Sequence, residues 1–200
     1  CSIEDYPRFG WRGVLLDPAR WFLPVEFLFK FVDAMSMHRL NVLHLHLSDD
    51  QGWRFEVLKY PRLTEVGAWR DESPFGHRSD HRYDGIPHGG FYRQSELREL
   101  VAYAAGRGVT IVPEIDLPGH TTAMIAAYPE LGNNPDVDVR VSRSWLIHDT
   151  VLNMQQSTVD FCTDVLTELL DVFPGRYIHL GGDECPRREW ERSRRAQARV

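Results

Sequence analysis

Along the chain, apolar positions alternate between two periods. Residues 13–17 (GVLLD), 41–47 (NVLHLHL), 109–116 (VTIVPEID) and 177–181 (YIHLG) are short apolar runs that predict buried strands. Between them, apolar residues return every three or four positions. Val25, Leu28, Val32 and Met35 predict a helix entered near Pro24. Leu97, Leu100, Val101, Ala104 and Ala105 predict a second, which stops at Gly106–Arg107–Gly108. Val159, Cys162, Leu166, Leu169 and Phe173 predict a third, with Ser157 and Asp160 as its capping box. A further helix is expected over residues 189–199.

Strands that are apolar almost throughout, alternating with helices, specify a parallel sheet covered by helices. Two connections are long, about 48–94 and 117–156. Loops of that length in a compact domain are usually functional. Both leave the C-terminal ends of strands, where a β/α barrel builds its active site. Four βα units are visible, whereas a closed barrel has eight over about 250 residues. The expected fold class is α/β, of the (β/α)8 TIM-barrel type with about four units in this chain; the alternative is an open α/β sheet. Standing alone, the last strand would expose an unpaired edge.

Composition narrows the partners. The 200 residues carry 29 acidic and 23 basic side chains, a formal net charge of −6, which argues against a nucleic-acid groove or an anionic membrane. No apolar run approaches the roughly 18–20 residues of a membrane span, and no basic-then-apolar leader opens the chain. Cys1, Cys162 and Cys185 lack zinc-type spacing. Cys162 reads as a small core residue and Cys185 as packing. Arg187, Arg188, Arg192, Arg194, Arg195 and Arg199, interspersed with Glu189 and Glu191, read as a solvated face.

The chemistry collects at strand ends. His46, Asp49 and Asp50 follow the second strand, Glu114, Asp116 and His120 the third, and Asp183 and Glu184 the fourth. Burying so many unpaired charges would cost several kcal/mol each, so convergence on one mouth is expected. Asp183 and Glu184 are adjacent, and successive strand residues face opposite ways. For both to serve one substrate the strand must already be turning, which Gly181 and Gly182 allow. Neighbours in sequence are poorly placed to flank a sugar ring from two sides, as the usual glycosidase carboxylate pair does. If Glu184 is a general acid, Asp183 is therefore expected to orient the substrate. A general acid working near neutral pH needs its pKa raised by burial or by a nearby carboxylate.

Four motifs, "PRFGWRG" (7–13), "HLHLSDDQGWR" (44–54), "VPEIDLPGH" (112–120) and "HLGGDE" (179–184), resemble in this order those of the family-20 glycoside hydrolases, the β-N-acetylhexosaminidases. The resemblance implies that residues 1–200 are the N-terminal half of a (β/α)8 glycosidase catalytic domain. It implies removal of terminal β-linked N-acetylhexosamine, GlcNAc or GalNAc, through an oxazolinium intermediate with retention. Glu184 would be the acid/base, Asp183 would hold the acetamido N–H, and Arg12 would grip sugar hydroxyls. Asp49 and His120 would orient Glu184, with Asp116, Glu114 and His46 in support. No cofactor and no metal are implied. The expected partner is an amino-sugar oligosaccharide or glycoconjugate, with no nucleic acid and no membrane. A homodimer or the missing barrel half would cover the open edges. Secreted, periplasmic and lysosomal settings all suit the family.

Plainer readings stand beside these. Trp11, Trp53 and Trp69 are expected in the core, His44 in a structural role, and Asp50 as a cap for its loop. Gly119 and Pro118 are expected to shape the turn that presents His120. The His44–Leu45–His46 pattern also suits a metal-dependent, amidohydrolase-like barrel. A sugar-binding module without catalysis is the remaining alternative. The aromatic wall and outer acids of the family's second barrel half are not found here, so the isolated chain is expected to be inactive.

Overall fold

A computed structural model describes residues 1–199. In chain order the elements are β1 (Gly13–Leu16), α1 (Val25–Met37), β2 (Val42–His46), β3 (Ser48–Asp49), β4 (Gly52–Trp53), α2 (Arg62–Glu65), β5 (Trp69–Arg70), β6 (His88–Gly89), α3 (Gln94–Ala105), β7 (Thr110–Glu114), α4 (Thr122–Ala127), α5 (Gln156–Val172), α6 (Arg188–Arg192) and α7 (Arg194–Gln197). β1, β2 and β7 form a parallel sheet in that order. Leu16 stands beside Leu45, and His46 beside Glu114.

The two faces of this sheet differ. Leu43, Leu45 and Leu47 are fully buried and share the core with Leu28, Val32 and Met35 of α1 and Leu97, Leu100 and Ala104 of α3. Alternation sends the intervening residues to the other face. There Leu15 is 53% exposed, His179 is exposed and His44 is partly exposed. The sheet therefore has one face packed against helices and one uncovered. All-parallel sheets are normally covered on both faces.

Several expectations hold and several shift. α1 buries Leu28, Val32 and Met35 and α3 buries Leu97, Leu100 and Ala104, while Val25 and Val101 are only partly buried and Ala105 is exposed. α3 ends at Ala105, and Gly108, with φ of +70°, lets Val109 N–H reach Ala104 O at 2.9 Å. α5 buries Phe161, Val165, Leu169 and Val172: of the expected stripe Leu169 and Phe173 are buried, Cys162 and Leu166 only partly, and Val159 is exposed. Its N-cap is Gln155 with no side-chain cap, not a Ser157–Asp160 box. The last helix is broken at Ser193 into α6 and α7, with its arginines exposed as expected.

The expected fourth strand is reduced to one bridge, Glu114 with His179. The segment still runs alongside β7: His179 N–H reaches Pro113 O at 2.9 Å, and Ile115 and Leu117 N–H reach His179 O and Leu180 O at 3.2 and 3.0 Å. Ladder pairing stops there because the chain turns at Gly181 and Gly182, with φ of +65° and +97°, left-handed values that glycine adopts without strain.

Both long connections are folded, not slack. The first holds the β3–β4 hairpin, α2 and the β5–β6 pair. Arg54 closes it: fully buried, it donates to Pro18 O (2.9 Å), Ala19 O (2.8 Å), Ala68 O (2.7 Å) and Gly90 O (3.0 Å). Burial and the neighbouring Arg70 depress its pKa to about 9. Side-chain donors on one guanidinium thus tie the loop after β1 to the end of the β5–β6 pair where Ala68 and Gly90 lie side by side. Replacing Arg54 with Met should destabilise the protein by about 3 kcal/mol, because four buried carbonyls each lose the guanidinium donor. Urea unfolding checks this; a change under about 1 kcal/mol would contradict it.

Candidate active site

The β3–β4 hairpin delivers Asp49 to the C-terminal end of the sheet, 1% exposed. Its Oδ2 accepts from His46 Nε2 and pairs with Arg20 Nη2, both at 2.8 Å. Oδ1 lies 3.2 Å from His120 Nδ1 and accepts Asp50 N–H at 2.6 Å. Burial alone would raise the Asp49 pKa; the hydrogen bonds from His120 and His46 and the charge of Arg20 outweigh it and hold the carboxyl below its usual range.

A second carboxylate mirrors the first. Glu114 Oε2 lies 2.5 Å from His46 Nδ1 and 2.7 Å from His44 Nε2, and Oε1 lies 2.8 Å from His179 Nδ1. Burial disfavours charge on both partners. The bonds to Asp49 and Glu114 nevertheless carry His46 up to about 9, and those from His44 and His46 lower Glu114. His46 is thus an imidazolium clamped between two anions. The ligand atoms of His44, Glu114 and His179 lie within 4.8 Å of one another, a spacing open to a cation; here they satisfy each other as imidazole–carboxylate contacts.

His120 stands on the turn after β7, at φ +52° behind a cis Leu117–Pro118 bond. Its Nδ1 faces Asp49 and Asp50, each at 3.2 Å. Those two acids, against the cost of burial, raise its pKa to about 11. Nε2 is buried, points toward Glu184 Oε2 at 3.4 Å, and has no hydrogen-bond partner among the described residues. Asp50 does not cap its own loop as expected: its carboxylate turns to the chain after β7. It accepts from Thr122 N–H (3.0 Å) and Oγ1–H (2.5 Å), which fixes the start of α4.

Asp183 and Glu184 follow the two left-handed glycines, and Glu184 itself has φ +45°. Asp116 secures this turn from below: its Oδ1 accepts Gly182 N–H at 3.0 Å, and its own N–H donates to Ser48 Oγ at 3.0 Å. A methyl group on Gly181 would land 1.7 Å from Asp116 Oδ1, so the turn and the carboxylate fit only together. Ligand atoms of His120, Asp183 and Glu184 come within 4.8 Å of one another, and both acids remain exposed.

Of the eight expected site residues, seven gather here: Glu184, Asp183, Asp49, His120, Asp116, Glu114 and His46. Arg12 does not. It precedes β1, at the opposite end of the sheet, and its guanidinium is taken by Arg39 O and Phe9 O, both at 2.6 Å. The arginine in the site is Arg20, on the loop that follows β1. The rule that favours C-terminal strand ends points to Arg20 when applied to β1 as it was to the other strands. With Glu184 and His120, Arg20 lines a cavity of ≈ 330 Å³, completed by Trp21, Gln51, Trp145, Leu146 and Ile147. Trp53 is core as expected, whereas Trp11 and Trp69 are about half exposed.

Asp116 links the site to stability. Its pKa is raised to about 6, chiefly by burial, from an ordinary value of 3.8. The protonated form is therefore the one the fold favours: its contribution is complete below about 3.8 and lost as pH rises through about 6. Denaturation midpoints measured against pH should show Asp116→Asn gaining on the wild type across this window. A constant difference between the two would contradict the assignment.

Known proteins match this chain closely. The model of the glycosyl hydrolase family 20 catalytic domain matches residues 9–200. A β-hexosaminidase of Akkermansia muciniphila is 47% identical over 192 residues, covering 95% of this chain and 37% of the relative. The crystal structure of a β-N-acetylhexosaminidase superposes with a TM-score of 0.90 at 45% identity, covering 98% of this chain and 40% of that one. A Vibrio harveyi exo-β-N-acetylglucosaminidase solved with N-acetylglucosamine gives 0.81 at 38% identity, covering 97% and 30%. The chain thus spans well under half the length of these relatives. The uncovered sheet face, the strand-end acids and these matches set aside the amidohydrolase-like and open-sheet alternatives and give the TIM-barrel type: the chain belongs to glycosyl hydrolase family 20, by its catalytic domain.

Proposed function

We propose that this chain carries the acid/base half of a β-N-acetylhexosaminidase that removes a terminal, non-reducing β-linked N-acetylhexosamine with retention. The observation that carries the reading is the line Asp49–His120–Glu184. A half-exposed carboxylate meets the free nitrogen of an imidazole whose other nitrogen is anchored by two buried acids.

In this reading the sugar lies between Arg20 and Glu184. The Arg20 guanidinium, held by Asp49 and by Asp17 at 3.0 Å, offers its remaining donors to ring hydroxyls. Glu184 gives its proton to the glycosidic oxygen as the bond to the anomeric carbon breaks. The acetamido oxygen of the same sugar attacks that carbon, while Asp183 accepts the amide N–H and stabilises charge developing on the nitrogen. Water then adds at the anomeric carbon and loses its proton to Glu184, which opens the oxazolinium ring. Two displacements at one carbon preserve its configuration, the substrate-assisted variant of retention. His120, held as a cation, donates toward Glu184 when that group is ionised and so supports its change of role. Asp116 acts through the Gly182 N–H to keep both acids aimed at one place.

Residues 1–200 are read as the first half of the barrel. The uncovered inner face, with Leu15 and His179 exposed, supports this, and the chain alone is expected to be inactive. Its partner is then the amino-sugar glycoconjugate, with the rest of the barrel closing the pocket.

Two substitutions test the reading in the full-length gene product. Glu184→Gln should lower kcat for an N-acetylglucosaminide with an alkyl leaving group about 10³-fold, and an activated aryl glycoside far less; equal losses on both would count against an acid. Arg20→Lys should lower kcat/KM roughly 10- to 100-fold, since the forked donors are lost with the charge kept. A change below about twofold would remove Arg20 from the site.

A further inference from the structure

Two successive amides of the turn before Asp183 each end on a side-chain acceptor. Gly182 N–H goes to Asp116 Oδ1 and Gly181 N–H to His179 Nδ1, both at 3.0 Å. The second bond runs from a side chain to the amide two residues on, the local pattern by which Asn and Asp close their own turns. This turn needs such holders. Gly181, Gly182 and Glu184 lie at φ of +65°, +97° and +45°, and Glu184, which has a Cβ, is there against its own preference. A conformation of that kind persists only where its surroundings impose it. Pairing with β7 ends at Leu180 O, and over residues 181–184 the bonds to His179 and Asp116 are those the backbone makes among the described residues.

His179 is itself well fixed. Its N–H donates to Pro113 O at 2.9 Å, its C=O accepts Ile115 N–H at 3.2 Å, and its ring packs on that of His44, centroids 4.7 Å apart. Its Nδ1 has a second claimant, Glu114 Oε1, at 2.8 Å. One ring nitrogen cannot accept from Gly181 and donate to Glu114 at once. Glu114 depends on it less, because Oε2 already has His44 Nε2 at 2.7 Å and His46 Nδ1 at 2.5 Å. Gly181 N–H has no other acceptor among the described residues.

We propose that His179 is a positioning residue for the reaction: with Nδ1 bare and its proton on Nε2, it accepts Gly181 N–H and thereby aims Asp183 and Glu184. The inference rests on the hexosaminidase reading above for what the two acids do. A proton on Nδ1 would turn that nitrogen to Glu114 and release the amide. Residues 179–184, HLGGDE, then form one device: an acceptor, a bend that donates to it, and the two acids the bend delivers.

The test uses the full-length gene product and two substitutions. In His179→Asn the side-chain oxygen can stand in for Nδ1; in His179→Leu bulk is kept and the acceptor is lost. His179→Leu should lower kcat for an N-acetylglucosaminide roughly 10- to 100-fold while KM changes less than about threefold. His179→Asn should recover most of that loss. Equal losses in the two variants would overturn the inference and make the ring a packing element, and no loss in either would overturn it too. Nitrogen-15 spectra of the wild type, with the His179 signal assigned by its absence from His179→Asn, should show Nδ1 unprotonated. A protonated Nδ1 would overturn the inference in a fully active enzyme. A wild-type protein that cleaves no N-acetylglucosaminide would overturn it together with the reading beneath it.

Discussion

Asp49 is the point on which the site turns. Removing a carboxylate from water costs several kcal/mol, and this one is removed almost completely. It is tolerable only because partners from three separate strand ends converge on it: Arg20 after β1, His46 at the end of β2, and His120 after β7. The demand of one buried charge for partners thus helps to tie together the loops that follow β1, β2 and β7. Glu114 repeats the device beside it, and His46 lies between the two acids. The result is a charged floor whose side chains have little freedom to choose other rotamers, the condition that catalytic geometry requires.

Above that floor the protein uses backbone shape. Asp183 and Glu184 could not both face a substrate from a regular strand. The left-handed turn at Gly181 and Gly182 solves this, and Asp116 holds the turn through a backbone N–H. Arg54 and Arg70 do for the outer loops what Asp49 does for the floor, with carbonyl oxygens as partners in place of charges. Floor, turn and rim are therefore three layers fixed by three kinds of bond: ion pairs, a glycine backbone, and guanidinium–carbonyl contacts.

What the sequence made legible follows from these differences. β1, β2, β7, α1 and α3 were readable because one face of each is uniformly apolar. α5 misled because Val159, Cys162 and Leu166 make a second apolar stripe beside the buried one. The strand over 177–181 has the right composition, but pairing depends on a neighbour at its outer edge and on the turn at Gly181. Asp49, His120, Asp183 and Glu184 stood out because charges at the ends of apolar runs need a reason. Arg12 was marked by its motif, although it lies before its strand, and Arg20 was not marked at all. Arg54, Arg70 and Trp145 carried no such signal: carbonyl partners are invisible in sequence, and residues 132–155 have no periodicity to place them.

The central claim is that Arg20, Asp183 and Glu184 surround one acetamido sugar. A crystal structure of the full-length gene product with a stable thiazoline analogue of the cyclised sugar tests it most directly. The account predicts the analogue in this cavity, its ring nitrogen within hydrogen-bond reach of Asp183, its hydroxyls on Arg20, and Glu184 beside the anomeric carbon. An analogue bound elsewhere, or held here with Asp183 turned away from the nitrogen, would contradict it.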